Sequence, residues 1–362
     1  MANLFNLVRA FGRISSHSLT SVSHERCLNR RYDRVLCNRC EHVCGADAIS
    51  LDIVPSIDGT ACTGCGVCVN VCPTGAFALR DISKENIISS IEEGKTVVFS
   101  CKTIEKFDDP SYVPVPCIGY LCEGMLIKAA SVSEKVILNG AGCDHCKLKI
   151  DMDTVQRKIN LANTVLGSFG KIENIELSVD STGDAPTKDA FGRKSIDYLR
   201  NMTGDSGQNS EPSGESSIIQ VTHMLLIDAI SSLNEPIDDV IKLESGPLYN
   251  FDIMDACDLC GICAAMCPTG ALRLSEDKDR SIEFNISFCI GCDLCKGVCK
   301  SDAIDNVADI SLSDVISSDW ISLISSELVQ CKRCKRYIAS IKKDDLCPSC
   351  SLEQDIERQF LQ

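Results

Sequence analysis

The chain has no run approaching the roughly 18 consecutive apolar residues of a membrane-spanning helix, so any membrane contact is expected to be peripheral or made through a partner. The opening segment is not expected to be a secretory leader either. MANLFNLVRAFGRI is apolar at helical spacing, but Asn6, Arg9 and Arg13 interrupt it and no small-residue cleavage site follows, which points to a surface helix packed on its own protein, with a partner-docking helix as the alternative. Positive charge is scarce: 36 Lys and Arg face 51 Asp and Glu, for a formal charge of −15. A phosphate backbone would be repelled, so nucleic acid is not an expected partner, whereas acidic electron carriers commonly dock to basic patches. No nucleophile and base pair, phosphate-binding loop or paired-acid site stands out, which counts against chemistry carried by the chain itself. GAGCDHC, from Gly140 to Cys146, begins like a dinucleotide loop but lacks the third glycine and an acidic partner at the usual distance. His42 and His145 lie inside cysteine runs and read as solvated loop residues.

Cysteine is what the chain has in excess, at 25 of 362 residues. In a short secreted protein that level would suggest a disulfide scaffold. Here nearly all cysteines fall in C-x2-C pairs, a spacing that suits a shared metal or cluster better than a loop-closing disulfide, and a reducing cytoplasm is the expected setting. The length and a hydrophobic content of 44% allow two or three compact domains.

CTGCGVCVNVCP, from Cys62 to Pro73, and CDLCGICAAMCP, from Cys257 to Pro268, space four cysteines as C-x2-C-x2-C-x3-C followed by proline. That is the ligand run of a bacterial-type [4Fe–4S] ferredoxin. Each run has a companion: Cys27, Cys37, Cys40 and Cys44 precede the first, and CIGCDLCKGVC, from Cys289 to Cys299, follows the second. The chain therefore resembles two dicluster ferredoxins of the clostridial type. In those proteins the remote cysteine of each run binds the other cluster. The resemblance implies four [4Fe–4S] clusters, two of them on Cys257, Cys260, Cys263 and Cys299 and on Cys289, Cys292, Cys295 and Cys267. In the first unit one would use Cys62, Cys65, Cys68 and Cys44, and the other Cys37, Cys40, Cys72 and Cys27. This last set departs from the pattern, because Arg34 occupies the expected first position and Cys27 lies well upstream of Cys37. A three-iron cluster beside a free Cys27 is the alternative.

Between the two units, predicted strands alternate with helices. A helix over Lys84 to Glu93 is stopped by Gly94, and TVVFS reads as a buried strand ending at Cys101. An extended YVPVPC, a helix near Gly119 to Ser131, a strand KVILN, a helix over Asp153 to Ser168 closed by Gly170 and a strand IENIELSV follow. This order predicts a small parallel α/β domain. Cys101, Cys117, Cys143 and Cys146 each follow a predicted strand, the edge where such sheets put binding residues, and are candidates to converge on one metal. The order FSC, VPCIGYL and NGAGCDHC before a long helix resembles the iron–sulfur delta subunit of methyl-viologen-reducing hydrogenase, over Thr96 to Val179. That family links hydrogenases to heterodisulfide reductase and places a cluster on cysteines at these strand ends. This chain has C-x2-C at Cys143 and Cys146 where the family usually has a longer gap, so a [2Fe–2S] cluster, a [4Fe–4S] cluster and zinc all stay open. Cys122 reads as a buried small hydrophobe.

At the end of the chain, Cys331-x2-Cys334 and Cys347-x2-Cys350 suit one zinc held by four thiolates in a closed ribbon, with rubredoxin-like iron as the alternative. The expected architecture is multidomain, α/β and α+β. An amphipathic segment (1–26) leads to ferredoxin domain 1 (27–82), the hydrogenase-delta-like domain (83–180), a flexible linker (181–217) with a short helix around Ala190 to Arg200, and a helical connector (218–246). Ferredoxin domain 2 (247–307), a connector (308–330) ambiguous between helix and strand, the ribbon (331–350) and a tail (351–362) complete it. The leading expectation is a cytoplasmic electron-transfer subunit of an anaerobic oxidoreductase, such as a formate dehydrogenase, tungsten aldehyde oxidoreductase, hydrogenase or heterodisulfide reductase. Its partners would be the catalytic subunit or soluble electron carriers. Catalytic thiol–disulfide chemistry at the middle cysteines, and a redox sensor or assembly scaffold, are the alternatives.

Overall fold

The computed structural model describes residues 19–80, 82–101, 111–146, 148, 150–179, 221–243, 246–276, 279–335, 337–339 and 346–360. The chain divides into two compact units, 1–239 and 240–362. The expected linker and the helix around Ala190 to Arg200 lie outside the described residues.

In the N-terminal unit, β1 (Thr20–Val22), α1 (Leu28–Tyr32), α2 (Arg39–His42), β2 (Ile49–Leu51), β3 (Pro55–Ile57), α3 (Val67–Val71) and β4 (Phe77–Leu79) build the first cysteine module. β1 pairs antiparallel with β4, and β2 with β3. The helix expected over 1–14 lies outside the described residues; the module itself begins upstream of Cys27, because β4 needs an antiparallel partner and Thr20–Val22 supplies it. α4 (Lys84–Ser89) follows, capped by the Ser83 hydroxyl, which accepts from the Asn86 amide at 3.2 Å. It ends before the predicted Glu93. Gly94 turns the chain with φ 71°, and its amide donates to Val132 O at 2.8 Å.

Four parallel strands come next: β5 (Thr96–Cys101), β6 (Tyr112–Val115), β7 (Lys135–Asn139) and β8 (Ile175–Ser178), in the order β6-β5-β7-β8. α5 (Glu123–Val132) connects β6 to β7, and α6 (Met152–Ser168) connects β7 to β8. α5 buries most of its surface, with Met125, Leu126, Ile127 and Ala129 fully buried, as a helix covered from more than one direction must. α6 is amphipathic and buries Val155, Ile159, Ala162 and Leu166. Asp151 caps it, its carboxylate accepting from the Asp153 amide at 3.1 Å. α7 (Val221–Ser231) falls in the segment expected as a connector, yet it packs on α5. A Cβ at Gly124 would lie 2.6 Å from the Leu225 carbonyl carbon, so the two backbones touch, and Lys128 pairs with Asp228. Burying Leu226 and Ile230 there contributes about 1.5–3 kcal/mol each, which a free connector would forgo.

The C-terminal unit contains β9 (Val240–Lys242), β10 (Asn250–Ile253), α8 (Ile262–Met266), β11 (Leu272–Glu276), β12 (Asp279–Phe284), α9 (Leu294–Val298), β13 (Ile304–Val307), β14 (Asp309–Ser311), α10 (Leu312–Ser317), β15 (Ile321–Gln330), β16 (Tyr337–Ala339) and α11 (Pro348–Phe360). β10 pairs with β13 and β9 with β14, while β11, β12, β15 and β16 form an antiparallel sheet in that order. The ambiguous stretch 308–330 thus resolves into strand, short helix and long strand. β15 joins the second cysteine module to the terminal knuckles, and α11 occupies most of the segment expected as a tail.

Candidate metal centres

Three of the C-x2-C-x2-C loops use the same backbone device. The residues immediately before and after the second cysteine are left-handed: Gly64 and Gly66, Leu259 and Gly261, Gly291 and Asp293. Two left-handed turns in succession curl the loop so that its three sulfurs face one point. Leu259 and Asp293 hold that conformation without glycine's freedom, a strain that persists only where the surroundings enforce it.

The cysteines then meet in crossed sets. Cys44, Cys62, Cys65 and Cys68 line one cavity with about 400 Å³ of empty space. Cys27, Cys37, Cys40 and Cys72 line a second of about 340 Å³, and Cys267, Cys289, Cys292 and Cys295 a third of about 330 Å³. Cys299 comes near Cys257, Cys260 and Cys263. Burial, then the thiolates of Cys257, Cys260 and Cys299, push Cys263 up to about 11. Burial and neighbouring thiolates likewise push Cys40 and Cys295 up to about 12. Thiols so raised do not ionise together unless a cationic body lies among them, and four convergent sulfurs around one mainly apolar cavity fit an iron–sulfur cluster.

Cys27 reaches its set through Asn29, a residue that sequence reasoning passed over. Asn29 is fully buried; its amide donates to Cys37 O, and its carbonyl accepts from the amides of Leu36 and Cys37, all at 2.8 Å. These three bonds clamp the excursion from Cys27 to Cys37. A second overlooked signal is the alanine four residues after each of three remote cysteines. The amides of Ala48, Ala76 and Ala303 donate to the sulfurs of Cys44, Cys72 and Cys299 at 3.2–3.3 Å, the kind of bond that tunes cluster potential.

In the middle domain, β5 and β7 lie side by side where the strand order reverses, the position at which open parallel sheets bind ligands. Cys101 ends β5, and after β7 Cys143 opens a short 3-10 turn that Cys146 closes. Cys117 follows β6, buried, with its sulfur accepting from the Gly119 amide at 3.3 Å. Burial, then the thiolates of Cys101 and Cys146, push Cys143 up to about 12, so these sulfurs share one neighbourhood. Cys122 is fully buried; burial pushes its thiol up, and the charged group that acts on it most is Lys84 rather than any of the four.

This group abuts the first module. A Cβ at Gly45, next to Cys44, would lie 1.8 Å from Leu148 O, two residues past Cys146. A Cβ at Gly66 would lie 2.5 Å from the Tyr120 ring, and one at Gly119 would lie 3.1 Å from Val67. The Asn70 amide donates to Gly119 O at 3.1 Å and Tyr120 O at 2.7 Å.

The tail is different in kind. The sulfurs of Cys331, Cys334, Cys347 and Cys350 all lie within 4.8 Å of one another, the one such metal-ligand group among the described residues. Cys334 and Cys347 are 3.7 Å apart, close to the sulfur separation of about 3.8 Å that tetrahedral Zn–S bonds of about 2.3 Å require. Cys331, Cys347 and Cys350 are buried, so the site is closed, and Arg333 ties the first knuckle to α11 through Glu357 at 2.8 Å.

Residues 256–303 match the 4Fe-4S dicluster domain family, and residues 55–78 match the 4Fe-4S binding domain family. The chain carries two ferredoxin-type iron–sulfur domains. It is 35% identical over 75 residues to the methylamine utilization ferredoxin-type protein MauM of Methylorubrum extorquens, covering 18% of this chain and 33% of that protein. It is also 35% identical over 77 residues to one subunit of the Na(+)-translocating ferredoxin:NAD(+) oxidoreductase complex of Acetobacterium woodii, covering 20% of this chain and 23% of that subunit. A third similarity, 34% over 85 residues, is to the DNA-directed RNA polymerase subunit Rpo3 of Methanosarcina mazei, covering 22% of this chain and 32% of that subunit. The chain spans about a third or less of the length of each. Among the described residues no helix is long and apolar enough to cross a membrane.

Proposed function

We propose that the chain is an electron-transfer protein that wires an oxidoreductase, holding four [4Fe–4S] clusters on the crossed cysteine sets and a further iron–sulfur centre on Cys101, Cys117, Cys143 and Cys146. The observation that carries this reading is the closure of crossed sets on single cavities, Cys27 included. The clusters would supply one-electron redox steps when bound. The chain's own residues hold the thiolates, donate amides to the sulfurs and keep the cavities apolar. A cluster rather than zinc is favoured in the middle domain because its four sulfurs are not gathered within 4.8 Å as the knuckle sulfurs are, leaving room for a polynuclear body. The contacts of Gly45, Gly66 and Gly119 support electron passage between the first module and this centre. We assign zinc to the knuckles, as a closed structural site outside the wire.

The partner of this reading is a catalytic subunit of the formate dehydrogenase, tungsten aldehyde oxidoreductase, hydrogenase or heterodisulfide reductase type, or a soluble carrier. Similarity to a subunit of a ferredoxin:NAD(+) oxidoreductase complex is consistent with a place in such an assembly. Anaerobically purified chain is expected to carry roughly 16 iron atoms in the two ferredoxin units, with magnetic coupling between paired reduced clusters in EPR. Fully loaded protein with half that iron and no coupling would refute the dicluster reading.

A further inference from the structure

Lys84 is 4% exposed, yet none of its contacts among the described residues is with a carboxylate. Its ammonium donates to Asn70 Oδ1 at 2.7 Å and lies 4.0 Å from the centroid of the Tyr120 ring. Neither neighbour carries charge. Cys122 is the first of the charged groups around it and is itself drawn down by Lys84, but burial outweighs this and pushes the thiol up; Glu85 is exposed and accepts from Ser83. Lys158 pushes Lys84 further down, and Glu123 acts in the opposite direction. Lys84 is also the first residue of α4, where the helix dipole disfavours a cation. A buried cation without a carboxylate in contact is costly, and burial pushes this one down to about 8, with Cys122 first among the groups that hold it up.

The missing negative charge is close in another form. Asn70 lies on α3 between Cys68 and Cys72, which belong to the two crossed sets of the first module. Tyr120, beneath the ammonium, packs on Gly66, between Cys65 and Cys68. Lys84 therefore sits behind the loop that would hold the cluster of Cys44, Cys62, Cys65 and Cys68. Four thiolates give such a cluster net negative charge, and reduction adds one more.

Resting on the electron-transfer reading above, we propose that Lys84 is the buried counter-cation of this cluster, favouring its reduced state and raising its midpoint potential. In the step concerned, the cluster gains one electron from a low-potential donor, which is oxidised by one electron. No bond forms or breaks, and Lys84 keeps its proton.

The test compares full-length wild type with Lys84→Gln, Lys84→Met and Lys84→Arg, purified anaerobically. Iron content is measured, and dithionite titrations are followed by EPR. Lys84→Gln can still donate to Asn70, so it removes charge while sparing the hydrogen bond. With iron retained, one cluster signal should become about tenfold harder to reduce in both neutral variants, a shift of about 59 mV to lower potential for a one-electron couple. Lys84→Arg should stay near wild type. The shifted signal should be the one lost in Cys65→Ser. Loss of that cluster in both neutral variants with retention in Lys84→Arg would also support the proposal, since charge alone separates those outcomes. Unshifted potentials with full iron, or equal damage in all three variants, would overturn it and leave Lys84 a structural pin. Wild type lacking coupled clusters would instead refute the ferredoxin reading itself.

Discussion

Gly45→Ala isolates the junction between the first module and the middle-domain cysteines. Gly45 is not in the left-handed region, so alanine meets no backbone penalty there, and the effect comes from contact alone. The new methyl would lie 1.8 Å from Leu148 O and 2.7 Å from Leu148 C, against an ordinary contact of 3.4 Å or more. Relief requires the two loops to part by about 1.6 Å, the difference between 3.4 and 1.8 Å, and no rotamer change can provide it because the opposing atoms are backbone. Overpacking of this kind costs about 1–3 kcal/mol. The anaerobic melting midpoint should fall by roughly 2–12 °C, taking about 2–4 °C per kcal/mol for a unit of this size. Ferredoxin iron should be retained while electron equilibration with the middle centre, followed by freeze-quench EPR, slows. Gly297→Ala is the matched control: it lies within α9, no atom stands within 4 Å of the place its methyl would take, and it should stabilise by about 0.5–1 kcal/mol. An unchanged midpoint and an unchanged rate in Gly45→Ala would refute the claim that these backbones touch and that the contact carries electrons.

Serine in place of Cys101, Cys117, Cys143 or Cys146 should remove or convert the middle centre in Mössbauer spectra and leave the ferredoxin clusters intact, whereas Cys122→Ser should leave that centre in place; the reverse pattern would overturn the ligand set. Asn29→Ala orphans the amides of Leu36 and Cys37 and unclamps Cys27, so total iron should fall by about four atoms as one cluster is lost; full iron would mean the excursion is held by other contacts. The amides of Cys334 and Cys347 hold the Cys331 thiol below the usual thiol range, while the neighbouring knuckle sulfurs, Cys347 first, push Cys350 up to about 12. At least one knuckle thiol must therefore lose a proton on binding zinc across the neutral range, so zinc affinity should fall as the pH drops from 8 to 5, and chelator competition showing no pH dependence would contradict this.

The iron–sulfur character of the chain was legible in its cysteine spacing, because a three-sulfur loop is a local object. C-x2-C-x2-C can wrap one centre wherever it occurs, and the proline and companion runs identify the type. The parallel α/β segment was legible for a similar reason: TVVFS, KVILN and the long helix carry their periodicity in a few consecutive residues. Local capping at Ser83 and Asp151 belongs to the same class of information.

Tertiary structure decided what depends on pairs distant in the chain. Thr20–Val22 became a strand because β4 had an open edge. Val221–Ser231 left the role of connector because Gly124 lets its backbone touch α5, and a glycine's neighbour across space cannot be read from its neighbours in sequence. The segment 308–330 acquired its long strand from pairing with β12. The entry of Cys27 into a cysteine-lined cavity depended on Asn29, whose three bonds reach seven and eight residues along the chain. Spacing thus marked the cysteine runs, and the crossed sets came as what the resemblance to dicluster ferredoxins implies. Whether the middle group would lie against the first module, with buried Lys84 on Asn70 and Tyr120 at their junction, was set by packing, since close backbone approach and burial of charge exist only once the chain has folded.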